Sequence, residues 1–316
     1  MKKTPLVTIL INNYNYADFL DDAIESALNQ DYTNTEVIVV DDGSQDDSHN
    51  IIDKYGDSIR SVIKENGGQA SAFNAGVEVS HGEIICFLDA DDTFKPNKVS
   101  GIAELFGQYP DADWIFHKLP RVDPEGNCIP RQGAIEELRF IDLRQAIKNV
   151  QKLPFVNPAT TGLSFRTSLL KKIFPMPEAF RISADSFLCL ASICNSPGVV
   201  CPQELAIHRI HGKNLYEYDA NMLRTGAEIR IRTAWYLQRR YPESKPFSNR
   251  LFSRSFGHLA GLVGYKNAFS LSETKQYIQL LLGERNPIIW IDCTLCVQLH
   301  FFRTLWKRFK SYNHYS

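Results

Sequence analysis

The sequence predicts an α/β fold in which a mostly parallel central sheet is flanked by helices, with a helical extension at the C-terminus. Three observations carry this prediction. Apolar runs of strand length alternate with segments of helical period through the first third of the chain. Three of those runs end in clusters of Asn, Asp, Gly or Ser, at Asn12–Asn15, Asp41–Ser44 and Asp89–Asp92. From about Asp219 the strand signal gives way to apolar residues at helical spacing.

Leu6–Ile11 is a continuous apolar run and reads as a buried strand. Phe19, Leu20, Ala23, Ile24, Ala27 and Leu28 then recur with helical period, and Gln30 closes that helix. Glu36–Val40 is a second strand, ending at Asp41-Asp42-Gly43-Ser44. A helix from about Asp47 to Tyr55, a strand near Ile59–Lys64, a helix over Gln69–Val79 and a strand over Glu83–Leu88 follow. Such alternation predicts parallel strands covered by helices on both faces. Ligands of these sheets bind beyond the carboxyl ends of the strands, where all three polar clusters fall. The middle of the chain, from about Trp114 to His211, is rich in proline and less regular. Leu163–Phe165 and Leu205–Ile210 read as strands there, and Asp185–Ile193 as a helix. Asn221–Gln238, Leu251–Val263, Glu273–Leu282 and Ile288–Phe309 read as the helices of the tail.

The 316 residues are 44% hydrophobic and 22% charged, which excludes wholesale disorder and a collagen-like chain. A formal net charge of −1 argues against a globally basic nucleic-acid binder. That balance conceals a net −14 over residues 1–113 and +13 over the remainder, which suggests a division of labour. Seven cysteines at irregular spacings do not form an extracellular disulfide framework, and a reducing cytoplasm is expected. Cys293 and Cys296 form a lone C-x-x-C in an apolar helical stretch, which fits core packing better than zinc. Met1-Lys2-Lys3 and the apolar run after it imitate a signal peptide, but Asn12-Asn13-Tyr14-Asn15 replaces a small-residue cleavage site. No run of eighteen apolar residues is present, so no simple membrane-spanning helix is expected. The tail holds 15 Lys and Arg against 7 Asp and Glu from Tyr216 on. Its end, Trp306-Lys307-Arg308-Phe309-Lys310, suits peripheral association with an anionic membrane surface, and equally suits packing with its charges in solvent.

Asp89-Ala90-Asp91 is the most informative feature. It follows Ile84-Ile85-Cys86-Phe87-Leu88, a fully apolar strand. Two carboxylates this close repel one another unless a cation or solvent separates them. A hard divalent ion with oxygen ligands would relieve the repulsion and bridge to phosphate. Asp41-Asp42 should lie in the same layer. Gly43 and Ser44 make a turn there, and Ser44 or Asp46 is a cap for the next helix. Asp42 needs only to face the ligand layer, where its carboxylate could accept hydrogen bonds from a base or ribose.

The ordered set of these segments resembles the family 2 glycosyltransferases, which have the Rossmann-like GT-A fold. The resemblance is carried by Val7-Thr8-Ile9-Leu10-Ile11-Asn12-Asn13-Tyr14-Asn15 and by Val37-Ile38-Val39-Val40-Asp41-Asp42-Gly43-Ser44. It continues through Asn66-Gly67-Gly68 with Ala72, Asn74 and Gly76, and through Phe87-Leu88-Asp89-Ala90-Asp91-Asp92. It is strong over about the first 110 residues, weaker to about His211, and absent from the tail. The resemblance implies transfer of a sugar from a nucleotide-activated donor to a hydroxyl, with inversion at the anomeric carbon. It implies that Asn12, Tyr14 and Asp42 hold the nucleoside, that Asp89 lies near the ribose, and that Asp91 is the main protein ligand of Mg²⁺ or Mn²⁺. It places the general base at Asp185, in Ile182-Ser183-Ala184-Asp185, where Ala184 replaces the family's usual Glu. A helix cap at Asp185 is the compatible structural alternative. Ile207-His208-Arg209-Ile210-His211-Gly212 resembles a Tyr-Arg-Ile-His-Gly segment of the family. His211 would complete the metal or diphosphate site there, Arg209 would pair with phosphate, and His208 would have a packing role.

The chain departs from the family in two places. Asn12-Asn13 stand where many members have Pro-Thr, and Gln69 and Ser71 stand where a basic phosphate partner is often found. The donor-binding half is expected over 1–113, the acceptor-binding half over 114–215 and the helical extension over 216–316. Acceptor choice is expected in Phe155–Phe165 and Arg181–Asp185. The expected partners are a nucleoside-diphosphate sugar, a UDP-sugar foremost, and a carbohydrate or lipid-linked acceptor in cell-envelope polysaccharide or glycan synthesis. The expected location is the cytoplasm, with a peripheral position at the inner face of the membrane as an option. A non-catalytic sugar-nucleotide or glycan-binding subunit is the alternative, because of Ala184 and the missing basic partner. A sugar nucleotidyltransferase fits less well, since Asn12–Asn15 is neither Gly-rich nor basic.

Overall fold

A computed structural model of the chain describes residues 4–130, 133, 135–214, 221–284 and 286–312, with side chains as far as Lys307. The chain divides into two compact units, Met1–Arg144 with Leu153–Glu217, and Gln145–Lys152 with Tyr218–Ser316. The boundary expected at 215/216 therefore touches residues outside the described set. The last residues of the basic terminus, Arg308 to Lys310, likewise have no described side chains.

The first unit opens with four strands and the helices between them. These are Val7–Asn13 (β1), Ala17–Leu28 (α1), Thr35–Asp41 (β2), Ser48–Lys54 (α2), Arg60–Ile63 (β3), Gln69–Val79 (α3) and Ile84–Asp89 (β4). β1 is buried along nearly its whole length, which explains why its sequence is a continuous run rather than an alternation. β3, β2, β1 and β4 are mutually parallel. Their register is what matters for function. Asn12 lies level with Val40 on one side and Asp89 on the other, and Asn13 lies level with Asp41.

Thr93–Phe94 (β5), Lys98–Gln108 (α4), Trp114–Lys118 (β6), Arg121–Val122 (β7), Cys128–Ile129 (β8), Arg139–Ile141 (β9) and Arg144–Lys148 (α5) follow. Then come Leu163–Arg166 (β10), Thr167–Ile173 (α6), Ala184–Asn195 (α7), Gly198–Glu204 (β11) and Ala206–Arg209 (β12). The main sheet runs β3-β2-β1-β4-β10-β6-β11-β9, so the halves expected at 1–113 and 114–215 contribute to one sheet. β10 is antiparallel to both β4 and β6, while β11 is parallel to β6. An aromatic seam fills the joint: Phe87 packs edge-on against Phe73 at 4.9 Å and against Phe165 at 5.7 Å.

The sequence alone predicts no element between Asp92 and Leu163, and the structure places α4, β6 and several short strands there. β6 and β11 pair across about eighty residues, β12 reaches β5 and β7 over long range, and the β7–β8 hairpin is only two residues a strand, so local periodicity has little to show. A second small sheet, β5-β12-β7-β8, is built from such pairs. Ala206 lies opposite Phe94 and Ile207 opposite Thr93, which brings the residues after β12 beside Asp91 and Asp92.

The described helices of the second unit are Met222–Arg240 (α8), Lys245–Val263 (α9), Tyr265–Ala268 (α10), Ser272–Leu282 (α11) and Pro287–Tyr312 (α12). Phe252 stacks on Tyr277 at 4.1 Å, and the Tyr277 hydroxyl donates to Asn249 Oδ1 at 2.9 Å. Cys293 joins this core. Gly257 and Gly261, one turn apart on α9, meet α12 so closely that a Cβ at Gly257 would overlap the Val297 carbonyl. One expectation is corrected here. Counting uninterrupted apolar residues finds no spanning helix, yet Pro287–Lys307 is long and apolar enough to cross a membrane, at a mean hydropathy of 1.3. Isolated polar residues interrupt the run without removing its apolar character.

Candidate functional site

The level ends of β1, β2 and β4 form one wall of a cavity of about 350 Å³. Asn12, Tyr14, Asp42, Asp89 and Asp91 line it from the first third of the chain, with Gly68 and Gln69 from the start of α3. Thr160, Arg181, Ser183 and Asp185 line it from the middle, and His208 and Asn214 from the segment around and after β12. The structure thus brings five of the expected donor and metal residues into one cavity with the expected general base. All of this lies within the first unit.

Five carboxylates crowd the strand ends, and they differ in how their charge is met. Asp41 is fully buried and points away from the cavity. It accepts from Asn13 Nδ2 (2.7 Å) and from the backbone N–H groups of Gly43 (3.1 Å) and Ser44 (2.8 Å), with His49 3.1 Å away. Asp42 faces the cavity and takes Lys64 Nζ at 2.7 Å, Gly67 N–H at 3.0 Å and Gly68 N–H at 2.6 Å. Its carboxylate is the anchor of the glycine turn. Asp92 is fully buried against His208 Nδ1 at 3.1 Å, Thr161 Oγ1 and the Arg209 N–H. Burial opposes the His208 imidazolium, but the adjacent Asp92 outweighs it and raises the group to about 9.

Asp89 and Asp91 have no such cation. Asp89 accepts only amide N–H groups, from Asn12 at 2.9 Å and Gln69 at 3.3 Å. Asp91 Oδ2 lies 2.9 Å from Asn214 Nδ2 and 3.2 Å from His211 Nε2. Among the described residues, no Lys or Arg lies within ion-pair distance of either. Burial pushes the Asp89 carboxyl well above the usual range, with Asp91 and Asp92 adding repulsion. Carboxylate oxygens of Asp89, Asp91 and Asp92 come within 4.8 Å of one another, a donor set suited to a hard cation.

His211 sits beside Asp91, stacked on Phe19 at 4.1 Å, with Nδ1 accepting from the Lys213 N–H. Arg209 is placed otherwise than a phosphate partner would be. Its guanidinium lies over the Phe19 ring, bonds Asp22 and the carbonyls of Asp91 and Phe19, and does not line the cavity. The attraction of α1 for this cation is invisible in the local motif. Asp185 is the second residue of α7, behind Ser183 in a left-handed conformation, and its Oδ1 accepts the Ser186 N–H at 2.7 Å. Ser183, not Asp185, occupies the cap position.

Sequence reasoning gave no site role to Lys64 or Asn214, took Gln69 only as the replacement of a basic residue, and placed Arg181 in the segment expected to choose the acceptor. Gln69 is a bridge: its Nε2 reaches Asp89 and Thr160, and its Oε1 accepts the Ala184 N–H at 2.8 Å. Asn214 bonds Asp91, the Arg209 carbonyl and the His211 N–H. It stands three residues beyond His211, just outside the motif. The missing cations are Lys64, three residues before Gly67, and Arg181, which lines the cavity and bonds Asn66 Oδ1. A search confined to Gly67–Asn74 passes over both.

Comparison with known proteins agrees with this geometry. Residues 8–174 match the model of glycosyl transferase family 2. An uncharacterized glycosyltransferase of Nostoc sp. is 35% identical over 213 residues, which is 66% of either chain. The hyaluronan synthase of Pasteurella multocida is 36% identical over 132 residues, 41% of this chain and 14% of that enzyme. The matches thus span about two thirds of the Nostoc relative and far less of the synthase. Among solved structures, S. aureus TarS 1-349 in complex with UDP-GlcNAc superposes with a TM-score of 0.62 at 18% identity, covering 84% of this chain and 75% of that 1-349 chain. The mannosyltransferase PcManGT from Pyrobaculum calidifontis, in complex with GDP-Man and Mn²⁺, gives 0.53 at 16% identity over 97% and 88%. At such identities the two structures speak for the fold alone. The chain belongs to glycosyltransferase family 2 and has the GT-A architecture.

Two outcomes follow from this geometry. Gly68 has φ +88° and its N–H holds Asp42, while a Cβ there would overlap Arg181 Cα. Gly68→Ala should cost about 1–3 kcal/mol in urea denaturation and weaken any ligand of the cavity. The raised His208 group makes the fold pH-sensitive. Its stabilisation is complete below the unfolded value near 6.5 and is lost as pH rises through about 9. Between those limits the wild type, in chelator, should lose on the order of 1–3 kcal/mol relative to His208→Gln, read by denaturation at each pH.

Proposed function

We propose that the chain transfers a sugar from a nucleoside-diphosphate sugar, a UDP-sugar foremost, to an acceptor hydroxyl with inversion at the anomeric carbon. On this reading Asn12, Tyr14 and Asp42 hold the nucleoside and Asp89 lies toward the ribose. Asp91, supported by His211, is the main protein ligand of Mg²⁺ or Mn²⁺, and Asp185 is the general base. One observation carries the reading: Asp89 and Asp91, the two carboxylates that no Lys or Arg among the described residues offsets, share a single cavity with Asp185. A divalent cation held there would offset the charge of the diphosphate leaving group.

The chain's own residues supply the rest. Asn12 Oδ1 is buried without a hydrogen-bond partner, so a nucleoside N–H or hydroxyl has an acceptor waiting. Arg181, in the same cavity, is the cation suited to a donor phosphate; Arg209 does not enter this reading. Asp185 takes the proton of the acceptor hydroxyl as that oxygen bonds to the anomeric carbon, and the bond to the diphosphate breaks on the opposite face. The acceptor is read as a carbohydrate or lipid-linked hydroxyl in cell-envelope polysaccharide or glycan synthesis, on the cytoplasmic side. Support for that is analogy with the local match to polysaccharide synthases.

A panel of nucleoside diphosphates, each with and without Mn²⁺, tests the reading by thermal shift and donor turnover. One base should give a metal-dependent shift, and Asp91→Ala should abolish it. Asp185→Asn should keep the shift and lose roughly 10²–10⁴-fold in turnover. Wild-type turnover by Asp91→Ala would remove the metal assignment, and wild-type turnover by Asp185→Asn the base.

A further inference from the structure

Among the described residues, the second unit leaves an apolar helix face uncovered. α12 turns Cys293, Val297 and Thr304 toward the unit's interior, where Gly257 and Gly261 of α9 let the backbones approach. Ile288, Ile291, Leu295, Leu299, Phe302 and Trp306 recur at spacings of three and four residues on the opposite face. Each is between 50% and 71% exposed. At 1.5 Å per residue the stripe is about 27 Å long. It is wholly apolar, the reverse of what an exposed helix face in water should be.

The charges beside it identify what covers it. Asp292, Cys296, His300, Arg303 and Lys307 form the neighbouring row of α12, cationic toward its C-terminal end, and Arg250 and Arg254 of α9 lie close enough to this row to bias Cys296 and His300. Arg250, Arg254, Arg303 and Lys307 are all exposed. Among the described residues, none of the four has a carboxylate within ion-pair distance. A second copy docked on this stripe through a two-fold axis would bring the two rows of cations together. An anionic lipid surface satisfies both features, taking the apolar stripe at the acyl boundary and the cations at the headgroups. Trp306, near the end of the stripe, is a residue type suited to that boundary.

We propose that the second unit binds an anionic phospholipid surface through this face, with α12 lying in the membrane plane and the Arg250–Arg254–Arg303–Lys307 edge on the headgroups. The inference is independent of the sugar-transfer reading. It also moves the contact from the basic terminus to the body of α12.

The test is co-sedimentation of the full chain with vesicles of phosphatidylcholine alone and of phosphatidylcholine mixed with phosphatidylglycerol. The mixed vesicles should bind it and release it at high salt, and the neutral ones should bind it roughly tenfold more weakly or less. Leu295→Gln/Phe302→Gln and Arg254→Glu/Arg303→Glu should each lower partitioning roughly tenfold. Both change exposed side chains, so unaltered melting by circular dichroism separates lost binding from lost folding. Equal binding to neutral vesicles would overturn the proposal, as would wild-type binding by both variants. So would resistance to carbonate extraction, which signifies a spanning helix. A dimer in sedimentation equilibrium that Leu295→Gln/Phe302→Gln dissociates would assign the face to a second copy instead.

Discussion

Electrostatic repulsion among five carboxylates at the ends of neighbouring parallel strands is the constraint around which the first unit is arranged. A parallel sheet places its strand ends level, so acidic residues there cannot avoid one another. The fold answers locally for three of them. A glycine turn and Lys64 meet Asp42; a buried amide and two turn N–H groups meet Asp41; an imidazole from a strand 116 residues away meets Asp92. Among the described residues, Asp89 and Asp91 receive only an imidazole and amides, and no Lys or Arg. The deficit is therefore confined to one wall of one cavity. A surface acidic patch would dissipate its charge into solvent; this one is held in place by a packed sheet.

The second half of the sheet is what turns strand ends into a pocket. β10 enters antiparallel beside β4 and sets Thr160 and Thr161 against the carboxylates, while the short β5–β12 pair carries His208, His211 and Asn214 to them. Leu163 and Phe165 of β10, Phe94 of β5 and Ala206 of β12 are buried, so the same elements that share the core also add hydrogen-bond donors at the carboxylates.

The elements from β1 to β4 were legible because each strand is local and continuous: the helix read over Gln69–Val79 has those bounds in the structure, and the others agree to within a few residues. The carboxylates were legible for the same reason, since they end recognisable strands. What the sequence hid depends on contacts between distant residues. Nothing near Arg209 announces that Phe19 and Asp22 will claim its guanidinium. Gln69 looks like a weak substitute for a base until its two ends are seen on Asp89 and Ala184. α12 was misjudged by a rule that counts unbroken apolar runs, whereas three-dimensional exposure reveals the stripe.

The start of α3 is laced to the segment before α7 by a series of bonds. Gln69 and Ala70 donate their backbone N–H groups to the Arg181 and Phe180 carbonyls, and Asn74 closes a reciprocal pair with Met176. Gly68 presses on the Arg181 backbone with no room for a side chain. The wall at Asp42 and the loop before α7 are consequently one mechanical piece. Recombining the N-terminal half of this chain with the C-terminal half of a relative would tear that lacing unless both strips of sequence came from one parent, so variation in this lineage is more readily reached by point changes than by shuffling.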